Sequence, residues 1–436
     1  METKDLKFGE LDEGFTIKEA IEEAKRCLNC KNPLCIKGCP IENNIPGFIH
    51  QLSMGNIGAA MHIINEKSNL PAICGRVCPH EKQCVGHCVL NAKKRPIQVG
   101  KLERFAADFD GNMGLIRDKI PQKTRGKVAV IGSGPAGLTV AGDLAREGFN
   151  VMIFEGEQEA GGVLMYGIPE YRLPKDVVRK EVKKIEALGV TFITQCMVGQ
   201  AITVDDMFEQ GFDAVFIGSG TALPKSLDTP GYTLRGVTQS SYFLRMASLC
   251  NTGSIGREEV PVKQGDIVGV IGGGNVAMDA ARTALRMGAG KVYVLFRRTM
   301  DQMSALQTEY NEAVEEGVEF LWETTVTEFI GSNGKLEKIR VKTPEGENFM
   351  PIDRILLAIG SRPANRIVST PPGIEVDDTG YVITKERPYG MTTRKGVFAG
   401  GDVVHTPQTV VLAMKEAKQV AKGIAQFVDA KKLLEE

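Results

Sequence analysis

Over the first hundred residues, apolar positions recur at the three-to-four spacing of amphipathic helices, in residues 16–26 (TIKEAIEEAKR) and 46–66, with Gly and Pro between. This pattern predicts a small helical domain. A polar connector rich in Gly and Lys (DGNMGLIRDKIPQKTRG, 110–126) ends it, and the rhythm then changes. From Lys127, KVAVIGSGPAGLTVAGDLAREGFNVMIFEG reads as an apolar strand, a Gly-rich turn, a helix and a second strand. The same order of elements recurs from Asp266, in DIVGVIGGGNVAMDAARTALRMGAGKVYVLFRR. Near the C-terminus, GVFAGGDVVHTPQTVVLAMKEAKQVA predicts a strand ending in Gly400, Gly401 and Asp402, and then a helix.

The two repeated units carry recognisable chemistry. In the first, Gly132, Gly134 and Gly137, with Pro135 and Ala136 among them, form G-x-G-x-x-G directly after a strand, and Glu155 ends the next strand. Such glycines permit a tight turn and close backbone approach, so a pyrophosphate can sit on the helix N-terminus while the acid accepts from a ribose hydroxyl. In the second unit Gly272, Gly274, Asn275 and Ala277 take the corresponding places, but Arg297 and Arg298 stand where the acid stood. A carboxylate there would repel a 2'-phosphate, whereas guanidinium groups bond to it, so the second nucleotide is expected to be NADPH. The alternative for the pair is a solvated basic surface.

Two such folds in one chain suggest a flavin domain interrupted by a nicotinamide domain, with the Gly400–Asp402 strand end returning to the first nucleotide. The expected fold is therefore α/β: two Rossmann-like dinucleotide-binding domains preceded by an α-helical domain. The expected boundaries are 1–120 for the helical domain, 121–255 for the first part of the FAD domain, 256–365 for the NADPH domain, and 366–436 for the second part of the FAD domain.

Cysteine usage sharpens the reading of the helical domain, since eight of the ten cysteines lie before residue 90. Cys27, Cys30, Cys35 and Cys39 are followed by Pro40, close to the ferredoxin run C-x2-C-x2-C-x3-C-P, and Cys74, Cys78, Cys84 and Cys88 form a second quartet. Zinc sites favour two knuckles separated by a dozen or more residues, and disulfides are rare in a reducing compartment. Two iron–sulfur clusters fit the spacing best, with Cys39 crossing over to the second quartet as in ferredoxin-type runs. Cys196 and Cys250 read as lone core fillers. His80 and His87, beside cysteines, are candidates for contacts that tune a cluster.

A net charge of −1 and a pI near 6.6 leave no footprint for nucleic acid or an anionic membrane. The polar start METKDLKFGELDEG lacks the pattern of a secretory signal, and no apolar run approaches a membrane span, so a cytoplasmic protein is expected. The absence of a cysteine pair outside the helical domain argues against disulfide-reductase chemistry.

Four further stretches carry a resemblance over nearly the whole chain: LPAICGRVCP (70–79), KLERF (101–105), GGVLMYGIPEYRLPK (161–175) and AGGDVV (399–404). With them the chain resembles the glutamate synthase small (beta) subunit family, whose relatives include the N-terminal part of dihydropyrimidine dehydrogenase and the large subunit of the electron-bifurcating ferredoxin:NADP oxidoreductase. The resemblance implies two [4Fe-4S] clusters in the helical domain, FAD on the first dinucleotide fold and NADPH on the second. It implies Cys27, Cys30, Cys35 and Cys88 for the first cluster. For the second it implies Cys39, Cys78 and Cys84 with Glu103 as fourth ligand, where a plain cysteine count would choose Cys74. The Gly-rich segment containing Gly162, and Gly401 with Asp402, are implied to shape the flavin's surroundings.

One departure is QMSALQTE (302–309), where the family often reads MPA, which puts a local turn in doubt. The implied role is NADPH oxidation by FAD, with electrons passing through the clusters to a partner subunit within a hetero-oligomer. That partner is the glutamate synthase large subunit or, alternatively, the acceptor in a ferredoxin:NADP oxidoreductase or dihydropyrimidine dehydrogenase-type complex. Lacking an FMN barrel and an amidotransferase segment, the chain is not expected to make glutamate alone.

Overall fold

A computed structural model describes residues 6, 8–116, 119–364, 367 and 372–435. The first five residues, part of the 110–126 connector and the boundary expected at 365/366 lie outside these. The chain divides into two compact units, one comprising Asp12–Met165, Lys175–Leu223 and Arg362–Glu436, the other Tyr166–Pro174 and Pro224–Ser361 with Met1–Leu11. Among the described residues no helix is long and apolar enough to cross a membrane.

The first unit opens with the helices. Ile17–Lys25 starts on a capping box in which Thr16 and Glu19 satisfy each other's backbone amides. The apolar periodicity of 46–66 resolves into two helices, Ile45–Ser53 and Ile57–Asn65, because Gly55 takes φ +77° in the turn between them. Pro71–Val77 and the long Val99–Met113 complete the bundle around Phe48, Leu52, Met61, Ile64 and Leu102. Burying each such side chain contributes roughly 1.5–3 kcal/mol.

The same unit holds a seven-stranded sheet in the order Thr384–Glu386, Tyr389–Thr392, Val397–Ala399, Ala214–Ile217, Lys127–Ile131, Asn150–Phe154, Thr191–Ile193. The last five run parallel, and Lys127–Ile131 is almost wholly buried, as its unbroken apolar run requires for a strand covered on both faces. The glycine-turn helix Pro135–Arg146 packs along the C-terminal helix Val410–Glu435, and Lys418 pairs with Asp143 at 3.0 Å across that contact.

The second unit is built on a parallel five-stranded sheet in the order Val237–Gln239, Arg354–Leu357, Ile267–Ile271, Lys291–Leu295, Glu319–Leu321. It thus draws a strand from upstream of residue 256. A three-stranded antiparallel sheet, Thr325–Ser332, Lys335–Thr343 and Gly346–Pro351, accompanies it. The excursion Tyr166–Pro174 is fixed here by charge: Arg172 pairs with Asp279 at 2.8 Å and Glu309 at 2.9 Å, and the Arg282 and Arg286 guanidiniums lie 4.7 and 3.9 Å from the Tyr171 ring.

Candidate functional site

All ten cysteines are free thiols. The eight N-terminal ones form two adjoining neighbourhoods, with Cys84 of one also feeling the Cys35 charge of the other. Burial raises the Cys27 thiol, with repulsion from Cys30 and Cys88 adding to it, and burial pushes Cys35 up to about 11, with Cys27 and Cys88 contributing. Cys27 thus has Cys30, Cys35 and Cys88 as neighbours, and Cys35 also neighbours Cys88.

In the second neighbourhood burial pushes Cys39 up to about 11, with Glu103 and Cys74 as the charges that add to it. Cys84 is raised further still by burial, Glu103 and Cys39. Cys78 is raised first by its hydrogen bond with Cys74, then by burial and the Cys74, Glu103 and Cys84 charges. Glu103 projects from Val99–Met113, is buried, and has neither a hydrogen bond nor an ion pair among the described residues. Burial pushes its carboxyl up to about 8, with the Glu181 charge adding to it. Cys74 lies in the same neighbourhood, beside Cys78 and Cys39, and its sulfur is also 3.6 Å from Met414 Sδ and 4.0 Å from Ser68 Oγ.

This donor set fits iron–sulfur clusters. Backbone amides bond to the sulfurs: Asn29 to Cys27, Ile36 to Cys35, Ile41 and Asn43 to Cys39, and Val85 to Cys84. Such bonds favour the thiolates that a cluster needs. The Asn43 side-chain amide and His80 Nε2 are buried with no partner. Burial holds His80 down at about 4, so the ring is neutral. Among the described residues no three His, Cys, Asp or Glu side chains are placed to hold a metal ion.

The first glycine turn gathers its predicted residues from three parts of the chain. Gly137 must lack a side chain, because a Cβ there would lie 2.0 Å from the Gly132 carbonyl oxygen. Nothing of the protein lies within 4 Å of a Cβ built on Gly134, which leaves the mouth of the turn open beside Pro135 and Ala136. Glu155 reaches that mouth: its Oε2 accepts from the Ser133 amide at 2.9 Å and from the Ser133 hydroxyl. Ser133 Oγ accepts from the Gly161 amide at 2.9 Å, and Gly162 lies against Gly134. From the C-terminal strand, Gly401 lies against Ala136, and its amide donates to Glu416 at 2.8 Å. Burial and the Glu416 charge raise Asp402 to about 6, opposed by His405. An open cradle of backbone with a carboxylate at its rim fits the adenosine and pyrophosphate of FAD.

Ser133, Gly161 and Glu416 were not singled out in the sequence. Ser133 is the variable position of G-x-G, and Glu416 lies on a helix with no local motif.

The second turn is built alike. A Cβ on Gly272, whose φ is +149°, would meet the Ala358 carbonyl oxygen at 2.4 Å, and Ala277 is fully buried at the helix–sheet contact. The side chain of Asn275 is committed within the protein, its Oδ1 accepting from Leu306 N at 2.9 Å. Segment 304–306 makes its turn without proline, the Ser304 and Ala305 amides both donating to Gly273 O at 3.0 Å. A proline at 304 would lack that donor. Arg297 and Arg298, just past the strand Lys291–Leu295, are exposed, and no carboxylate among the described residues pairs with them.

Residues 4–115 match the family model for dihydropyrimidine dehydrogenase domain II with its 4Fe-4S cluster, and 126–417 match the pyridine nucleotide-disulphide oxidoreductase model. The glutamate synthase [NADPH] small chain of Halomonas elongata is 34% identical over 98% of this chain and 94% of its own length. The chain belongs to the glutamate synthase small-chain family. As a member of this family it is an oxidoreductase, and its cofactor set is FAD, NADPH and [4Fe-4S] clusters. The family is wider than one enzyme: the NAD-dependent dihydropyrimidine dehydrogenase subunit PreT of Escherichia coli is 33% identical over 96% of this chain and 97% of its own. The fold of Mycobacterium tuberculosis FprA, solved in complex with NADPH, superposes with a TM-score of 0.61 over 71% of this chain and 86% of FprA, at 18% identity.

Proposed function

We propose that the chain is the cytoplasmic electron-input subunit of a glutamate synthase, oxidising NADPH and delivering its electrons to a large-subunit partner in a hetero-oligomer. In this reading the turn of Gly132, Gly134, Pro135, Ala136 and Gly137, with Glu155, Gly162, Gly401 and Asp402, holds FAD. The turn of Gly272, Gly274 and Ala277 holds NADPH, with Asn275 positioning it and Arg297 and Arg298 on the 2'-phosphate. Cys27, Cys30, Cys35 and Cys88 ligate one cluster, and Cys39, Cys78, Cys84 and Glu103 the other. When bound, the flavin supplies the conversion of hydride into single electrons, and the clusters supply their route outward. The residues here act by binding and orientation, and hydride transfer between stacked rings needs no acid or base from them.

The observation that carries the reading is the contrast between the two turns. One has a buried carboxylate at its rim, the other two unpaired guanidiniums, in a chain whose remaining domain gathers eight thiols. The decisive experiment is anaerobic. NADPH is expected to bleach the flavin rapidly, with reoxidation on addition of the purified large chain; flavin that stays oxidised under excess NADPH and NADH would end the proposal. Iron and acid-labile sulfide should each approach about eight per chain, and zinc in their place would remove the clusters from the scheme.

A second reading, an input subunit for a dihydropyrimidine dehydrogenase-type complex, is favoured by the N-terminal family match and by the relative named above. NADH preferred over NADPH, with reduction of a pyrimidine by a partner chain, would select it.

A further inference from the structure

The charge balance of the whole chain conceals a local asymmetry. Residues 25–40 and 82–95 together contain eight Lys and Arg and no Asp or Glu. These two segments carry Cys27, Cys30, Cys35 and Cys88, and the fold lays them against each other: Arg26 Nη2 donates to the Arg95 carbonyl at 2.7 Å, and Gly38 lies against His87 and the Gln83 carbonyl. Arg26 is paired with Glu23. The other seven, Lys25, Lys31, Lys37, Lys82, Lys93, Lys94 and Arg95, are exposed, and among the described residues none has an ion-pair partner. The same two segments leave three apolar side chains in solvent, Leu28 at 62%, Leu34 at 43% and Val89 at 42% exposure.

Unpaired like charges near one another repel, and exposed Leu and Val lose the gain of burial. A surface where unpaired cations are interspersed with exposed apolar side chains, which we call the basic collar, is the complement of a protein face that mixes acidic and apolar groups.

We infer that this basic collar is the docking surface for the electron-accepting protein, which presents an acidic face to it and receives electrons at the Cys27, Cys30, Cys35 and Cys88 group. The inference deepens the electron-input reading and rests on it. The cations speed and orient the encounter, and Leu28, Leu34 and Val89 exclude water where the two redox centres approach. Because steering by exposed charges is screened within about 10 Å at 0.1 M salt, the association must weaken steeply with ionic strength.

The test uses the complete protein with its cofactors, its own purified glutamate synthase large chain as acceptor, and ferricyanide as a small control acceptor. The variant Lys31→Glu/Lys93→Glu/Lys94→Glu is expected to raise the KM for the large chain at least about tenfold at low salt and to flatten its salt dependence. NADPH–ferricyanide turnover and cluster content should stay as in the wild type. Leu28→Ser should weaken the complex without changing the salt slope. Wild-type transfer that is indifferent to salt, or a charge-reversed variant that docks as well as the wild type, overturns the surface while leaving the electron-input reading intact.

If instead the wild type reduces ferricyanide but never the large chain, it is the partner assignment that fails. An acidic plant-type ferredoxin then serves as the probe. Salt-sensitive reduction that the variant loses supports the collar, and equal reduction by both proteins, or by neither, overturns it. Heparin competing against wild type and variant alike would likewise show that the collar is not selective.

Discussion

Exchange of Glu103 for Ala is expected to abolish one cluster, halving iron from about eight to about four per chain and removing one of the two reduced-state EPR signals, whereas Cys74→Ser leaves both. Glu103 and Cys74 differ in the partners they already have. Glu103 is buried beside Cys39, Cys78 and Cys84 and makes no hydrogen bond among the described residues, a cost that ligation to a cluster would offset. Cys74 bonds with Cys78 and packs its sulfur against Met414. Glu103→Cys, which restores an anionic ligand, should recover much of the lost iron and so separate ligation from simple loss of packing. If Cys74→Ser loses a cluster and Glu103→Ala keeps both, the cysteine count was the better guide.

Replacing Arg297 and Arg298 together by Gln is expected to weaken NADPH by about tenfold to a hundredfold while NADH binding barely changes. Each charge-assisted bond to a phosphate contributes on the order of 1.5–3 kcal/mol, and about 1.4 kcal/mol is a factor of ten. Both side chains are exposed, so solvent screening pulls the effect toward the lower figure. Equilibrium binding of NADP+ to the oxidised protein, followed by flavin absorbance, measures the change apart from turnover. High salt should narrow the gap in the wild type. Equal losses for both nucleotides would mean that the pair supports the fold and does not read the phosphate.

Much of this architecture was legible because its determinants are local. A strand, three glycines and a helix need only about thirty residues to declare themselves, and the Cys27–Cys39 run does so in fewer. What was not legible depends on contacts between distant segments. Glu416 meets Gly401 only after the C-terminal helix packs, and Ser133 joins Gly161 only once the 161–162 loop folds back. The strand Val237–Gln239 joins the second sheet through Arg354–Leu357, more than a hundred residues later, and no local pattern marks it. Asn275, expected at the nucleotide, also accepts from the Leu306 amide through its side-chain oxygen, a contact thirty-one residues away in sequence. The missing proline at 304 raised a doubt about the turn that the Ser304 amide resolves.

The interleaving of the first sheet has a bearing on how the protein is made. Val397–Ala399 lies beside Ala214–Ile217, so the strand supplying Gly401 and Asp402 is synthesised only after the whole of the second unit. Because domains generally fold as units as the chain emerges, the second unit can finish on the ribosome while the first still waits for its closing strand and helix. With FAD on the first turn as proposed, flavin loading is expected late in biogenesis, and a chain cut short before residue 397 should emerge with one nucleotide fold finished and the other open.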